Sequence, residues 1–284
     1  MSEEKIALLI DPFANVPTSW IKEFSINTIP CDIQLADEII DVQDCTVEQV
    51  FSCYKDKHAM PTILPTTIEA FGRQFISLLH RGYKIIYLAS YKPSNKCYKS
   101  VQLAVDTYPE KIKIIDTGNV SIGIAVIVNK VYELIKKEYS FEKIVSILDD
   151  VIRRSHINVL FPDDRMVLNK ISTGSVDIFL SKFLGTKHCV SLCNSEAEFN
   201  KNLKGTNDIC IPAFIRSILQ NQDITIDNDI LIVMHSGLSD RFVKLMKDTI
   251  DEKNTFKNVI YMEANCTAAL NLGHGGIALA YFTK

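Results

Sequence analysis

No apolar run in this 284-residue sequence approaches the length that crosses a bilayer, and no dense run of Lys or Arg is present. With a formal net charge of −3, the chain offers no basic footprint to a nucleic-acid backbone or an anionic membrane surface. It has no G-x-S-x-G elbow, no H-E-x-x-H, no Walker loop and no spaced-glycine fingerprint of a dinucleotide site. The six histidines are scattered, and no two stand at metal-ligand spacing. Of the eight cysteines, Cys189 and Cys193 are the closest pair, without the C-x-x-C spacing of zinc or redox motifs. The cysteines therefore read as reduced, buried thiols. Neither a metal nor a cofactor is expected. The apolar run in "MSEEKIALLIDP" is too short for a signal peptide, so a cytoplasmic location is expected.

What is present is a chain able to bury a large core, with 47% apolar and 23% charged residues. Strand-like and helical patterns alternate along its first half. "KIALLI", "KIIYLA" and "KIKIID" read as strands. "SWIKEF", "TVEQVFSCYKD", "TTIEAFGRQFISLLHRG", "NKCYKSVQLAVDTY", "VSIGIAVIVNKVYELIKKEY" and "SFEKIVSILDDVIRRS" read as helices. Thr46, Thr66 or Thr67, and Ser140 are suitable N-caps, and Gly82 is a stop. That alternation predicts βαβ units around a mostly parallel sheet. In the second half, "DRMVLNKIS" and "VDIFLSKFL" are amphipathic, "HINVLF", "HCVSLC", "DILIVMH" and "NVIYME" are strand-like, and "SDRFVKLMKDTIDEK" is helical. The fold class is thus α/β in two domains, 1–155 and 156–284, with a ligand cleft between them.

Ligands of open α/β sheets bind beyond the carboxyl ends of the strands. There the sequence places Asp11, Ser90-Tyr91-Lys92, Asp116-Thr117 and His235-Ser236. Any one of these also suits an ordinary βα turn; together they favour a site at that edge. In "HAMPTILPTTIEAF", Pro61 and Pro65 bracket Thr62 in an extended loop ahead of a helix N-terminus, an end that suits an anion. Cys97, with Lys96 and Lys99 nearby, could have a depressed thiol pKa, but a cysteine early in an amphipathic helix more often serves packing. Three glycines in "NLGHGGIALAYFTK" require either positive φ or a close approach of backbone.

In this order the segments resemble the DegV family of bacterial fatty-acid-binding proteins over nearly the whole chain. "IALLIDPFANVP" is similar to the family's opening strand and Asp-Ser-Thr turn, with Asp11 and Pro17 in place. "PTILPTTIEAF" resembles its Thr-Ser-Gln-Pro-Ser loop, "YLASYKPSNKCYKS" its Ser-Ser and Leu-Ser-Gly-Thr-Tyr stretch, and "IIDTGNVSIG" its Asp-Ser followed by Ser-x-Gly. "IVMHSG" matches a late strand ending at histidine, and the glycine cluster matches His-x-Gly-Pro-Gly. The resemblance implies one long-chain fatty acid in an apolar tunnel between the domains, its carboxylate held by hydroxyls and a histidine. It also implies a separate fatty acid kinase as partner and no catalysis by this chain.

Carried onto this sequence, the resemblance assigns the head group to Thr62, to Ser90, Tyr91 or Lys92 at the paired serines, to Ser94, and to Asn271, Gly273, His274 and Gly275. Asn271 stands at the family's histidine and His274 at its proline. The backbone amides of Gly273 to Gly275 are expected to be open donors. The family's Gly-Gly-Arg stretch has no counterpart around "NKISTGSVD", which leaves kinase docking open. Two rivals remain at this stage: an enzyme acting on a small polar metabolite in the same cleft, and a member with a regulatory binding role.

Overall fold

A computed structural model describes residues 4–92, 95, 97–105, 108, 110–162, 186–193, 196–222, 224–252 and 256–284. Ser94 and both amphipathic segments of the second half lie outside the described residues. The first sheet contains β1 (Ile6–Ile10), β2 (Asn27–Thr28), β6 (Lys84–Ala89) and β7 (Ile112–Asp116), in the order β2-β1-β6-β7. All its pairings are parallel, as the βαβ pattern predicts. Both of its faces are buried, which explains the near-continuous apolar runs. Leu8, Ile10, Ile86 and Leu88 point one way; Leu9, Ile85 and Tyr87 point the other.

A small antiparallel sheet, which the sequence reading passes over, joins β3 (Asp32–Leu35) to β4 (Glu38–Asp41) and to the two-residue β5 (Thr62–Ile63). The third sheet starts where β8 (Ser155–Phe161) begins. It continues through β9 (Thr186–Cys193), β10 (Glu196–Lys204), β11 (Ile226–His235), β12 (Asn258–Glu263) and β13 (Ile277–Thr283). Its order is β10-β9-β8-β13-β11-β12, and only the β11–β12 pair is parallel.

The helices are α1 (Thr18–Glu23), α2 (Val47–Lys57), α3 (Ile68–His80), α4 (Tyr98–Val105), α5 (Ile122–Lys136) and α6 (Phe141–Arg154). They continue with α7 (Asn207–Leu219), α8 (Asp240–Asp251) and α9 (Cys266–Leu272). Thr46 closes a capping box with Gln49, Thr67 caps α3 through the Ala70 amide, and Ser140 caps α6 through the Lys143 amide. Gly82, at φ +82, takes the chain away from α3.

Helix α5 connects the two large sheets. Ile122 to Val128 are buried without interruption, the signature of a helix covered on more than one side. Its side chains share one core with Leu8, Ile10, Ile86 and Leu88 of the parallel sheet and with Ile157, Ile232, Met234, Ala278 and Ala280 of the mixed sheet. Helices α3 and α4 cover the outer face of the first sheet, and α7 and α8 that of the second. A polar tie sits beside this core, where Asn119 donates to the Ser155 hydroxyl at 2.8 Å. Truncating Ile127 to Ala is expected to lower stability by about 3 kcal/mol, because no neighbour can collapse into a gap between two sheets. Urea unfolding followed by circular dichroism measures that loss.

Candidate functional site

The carboxyl end of β1 is organised by Asp11, which is 1% exposed. Its carboxylate accepts from the Phe13 amide at 2.9 Å, the Tyr87 hydroxyl at 3.0 Å and Asn95 Nδ2 at 2.7 Å, and from the Ser90 amide. Burial raises its pKa above the ordinary carboxylate value, and these donors offset part of that shift. Asp11 thus fixes the turns after β1 and β6. Asp116 and Thr117 are likewise engaged in turns: Asp116 accepts from the Lys92 and Gly118 amides, and Thr117 donates to the Ala89 carbonyl.

Beside these turns lies a cavity of about 450 Å³. The first sheet and its loops contribute Phe13, Ser90, Val120 and Ser121 to it. Met60, Pro61, Thr62 and Ile63 come from β5 and the residues before it, and Ala268, Asn271 and Leu272 from α9. The floor is Ile157, Val159, Phe161, Met234 and Ala278 of the mixed sheet. Among the described residues that line it, none carries an acid, an amine, an imidazole or a thiol. Its polar groups are Thr62, Ser90, Ser121 and Asn271. Thr62 and Asn271 are the exposed members of the lining and mark its opening, whereas Ser90 is buried. Ser121 holds a left-handed backbone, φ +50 and ψ −120, at the start of α5. A non-glycine residue there costs about 1–3 kcal/mol and is kept only where the surroundings impose it.

Of the residues singled out in the sequence, Thr62, Ser90 and Asn271 therefore meet at one cavity. Thr62 donates its hydroxyl to the Met60 carbonyl at 3.3 Å, and Asn271 donates to the Thr267 carbonyl at 2.8 Å. Tyr91, Lys92, Gly273, His274 and Gly275 are not among the lining residues. The Tyr91 amide donates to the Asn119 carbonyl, and the Lys92 ammonium sits 4.8 Å over the Tyr98 ring. His274 packs edge-on against Phe51 of α2 and fills the space beside Gly237.

The expectation of open amides at the glycine cluster is corrected. The Gly273 amide donates to Ala269, and the Gly275 amide donates to Ser236 at 2.6 Å. The Ser236 amide returns a bond to the Gly276 carbonyl at 3.0 Å. Gly273 and Gly275 take φ +77 and +89, so two glycines supply a turn, and the third supplies a close approach. A Cβ on Gly276 would lie 2.5 Å from both the Leu272 carbonyl oxygen and its Cγ. The backbone approached is that of α9. Cys97 is fully buried and accepts from the Thr66 amide at 3.3 Å, which makes it a packing residue.

Sequence reasoning missed Phe13, Met60, Ser121, Met234 and Ala268. Ser121 had a signal in the Ser-x-Gly of "VSIG"; the others look like any core residue. Met234 accepts from Asn15 Nδ2 at 2.9 Å and from the Ser121 hydroxyl at 3.8 Å. Asn15 also accepts from the Asn265 amide at 3.2 Å, which ties the turn after β1 to the cap of α9. Asn15 itself lines a second cavity of about 590 Å³, with Asp11, Lys22, Asp41, Glu263, Cys31, Cys45 and Cys266 among its walls.

Fold and cavity define the class: an α/β protein of two large sheets and one small sheet, with an apolar cavity among them. The chain belongs to the DegV family, whose sequence profile matches residues 5–284. It is 22% identical to a DegV domain-containing protein of Clostridium acetobutylicum, over 99% of each chain. Its fold is similar to that of a DegV family protein from Thermus thermophilus described for fatty acid binding, with TM-score 0.86 and 16% identity over 99% of this chain and 100% of the other. It is also similar to the fatty acid kinase B3 protein of Streptococcus pneumoniae loaded with linoleic acid, with TM-score 0.79 and 14% identity over 99% and 100%. Among the described residues no helix is long and apolar enough to cross a membrane.

Gly276→Ala is expected to destabilise the protein by about 1–3 kcal/mol, since the added methyl meets backbone that cannot yield. A thermal scan of the purified variant reads the effect, and an unchanged midpoint would show that α9 does not hold its place against β13.

Proposed function

We propose that this chain is a cytoplasmic carrier that holds one long-chain fatty acid and presents it to a separate fatty acid kinase. The observation that carries this reading is the 450 Å³ apolar cavity with Thr62 and Asn271 at its opening. Its size lies within the roughly 300–1,000 Å³ usual for small-molecule pockets. The acyl tail lies against Phe13, Val159, Phe161, Met234 and Leu272, and the carboxylate rests at the opening. A half-buried carboxylate without donors would suffer a desolvation cost of several kcal/mol. At the opening the Thr62 hydroxyl offsets it by turning from the Met60 carbonyl to the carboxylate, with Asn271 beside it.

The enzyme reading needs a group that can move a proton or attack a substrate. The described lining offers hydroxyls and one amide, with no base beside them. The carrier reading asks only for grease and donors, and the relatives loaded with or described by fatty acids support it. Transfer chemistry then falls to the kinase.

Native mass spectrometry of gently purified protein is expected to show an added mass matching a long-chain acid; bare protein that also ignores added oleate and palmitate would defeat the reading. Thr62→Ala is expected to weaken oleate binding by about 1–2 kcal/mol, the cost of one bond to a charged group. Titration calorimetry measures it, and an unchanged affinity would remove Thr62 from the head-group site. Ala278→Phe, which fills the floor of the cavity, is expected to reduce uptake at least roughly tenfold while circular dichroism stays native.

A further inference from the structure

Cys45 stands between β4 and α2, and Cys266 is the first residue of α9. The Cys266 thiol donates to the Cys45 carbonyl at 2.7 Å, and the two thiols lie within hydrogen-bonding reach of each other. Both are free, both line the second cavity, and Cys45 is only half-buried, so a small molecule in that cavity meets the pair directly. Burial raises both thiols above the ordinary value, so each must shed its proton before it can attack a disulfide.

Cys266 belongs to α9, one wall of the first cavity, and Cys45 follows β4, in the same sheet as the β5 that belongs to the other wall. Met60 to Ile63 form one wall, and Ala268, Asn271 and Leu272 form the other. The two exposed lining residues, Thr62 and Asn271, stand one on each wall. Away from the cavity the walls meet in one apolar cluster, with Ile33, Leu35, Val50 and Ile63 against Cys266 and Leu270. Parting of these walls widens the way out for a ligand held between them. The first wall is the easier to move, because β5 is paired to β3 at just two positions, Ile33 with Ile63 and Gln34 with Thr62.

We propose that Cys45 and Cys266 form a modification site, a dithiol that a low-molecular-weight disulfide oxidises, fastening the three-stranded sheet to α9 and slowing exchange of ligand in the first cavity. The Cys45 thiolate attacks one sulfur of the small disulfide and expels the other half as a thiolate, which takes up the proton Cys45 released. The Cys266 thiolate then attacks the Cys45 sulfur of the mixed disulfide and closes the Cys45–Cys266 bond. The second small thiol leaves with the Cys266 proton. Two protein thiols are oxidised and one small disulfide is reduced to two thiols. The effect on ligand exchange rests on the fatty-acid reading; the bond and the fastened wall do not.

The test treats the full chain with oxidised glutathione and maps its peptides without reduction. A peptide linking Cys45 to Cys266 is expected from the folded protein, and dithiothreitol is expected to remove it. A Cys31–Cys97 link in its place, or only glutathionylated single cysteines, overturns the proposal; Cys31 and Cys97 are the competing neighbours, both buried. Hydrogen exchange then reads the wall with no ligand present. The Leu64 amide, bonded to the Asp32 carbonyl at 2.9 Å, is expected to exchange at least roughly tenfold more slowly in the oxidised protein. Release of oleate is expected to slow by a similar factor of about ten and to recover on reduction. Cys266→Ser keeps a donor for the Cys45 carbonyl and is expected to lose the link and both effects while still taking up oleate; Cys45→Ser is the second such variant. A link formed with Leu64 exchange unchanged refutes the fastening. If oleate is never taken up, the fatty-acid reading has failed, and the peptide map and Leu64 still decide this one.

Discussion

Everything in this structure depends on one helix being buried from more than one direction. Helix α5 is covered by the parallel sheet and by the mixed sheet, and the three form a continuous core. Two sheets that share a helix layer are held apart by the width of that layer. Where α5 begins, at Ser121, the filler stops, while β8, β11 and β13 continue. The space left over is the cavity. Its apolar character follows from this origin, since its walls are the same faces that pack against α5 further along.

Asp11 solves the opposite problem, a charged group inside. Its carboxylate is surrounded by donors from β6, from the turn after β1 and from Asn95, so one buried acid fixes several loops at the sheet edge. Two of those loops, through Phe13 and Ser90, line the cavity. Asn15 does similar work as a neutral amide, joining Met234, the β1 turn and the cap of α9.

Much of this was legible in the residues. The runs "KIALLI", "KIIYLA" and "KIKIID" are long, apolar and bounded, and they are the strands that β1, β6 and β7 contain. Caps at Thr46, Thr67 and Ser140 were readable because a hydroxyl followed by a helical pattern has few other uses. The small sheet was not legible, because β5 has two residues and β3 and β4 have four each, too short for a period to show. Helix α9, with seven residues, was lost for the same reason, and Pro212 hid α7 by looking like a breaker. At the site, Thr62 stood out because prolines frame it. Met234 and Ala268 could not stand out, since a residue facing a cavity and a residue facing its neighbour obey the same pattern. The glycine cluster was noticed for a sound reason, and the close approach the structure shows is to Leu272 and Ser236.

The described lining of the cavity contains no fixed cation. An anion resting there meets dipoles alone, whose attraction dies away within a few ångströms and is hardly dimmed by dissolved ions. Capture therefore gains little from long-range steering and little is lost in brine. On the fatty-acid reading, selection then leans on the shape and greasiness of the tail more than on long-range attraction to the head.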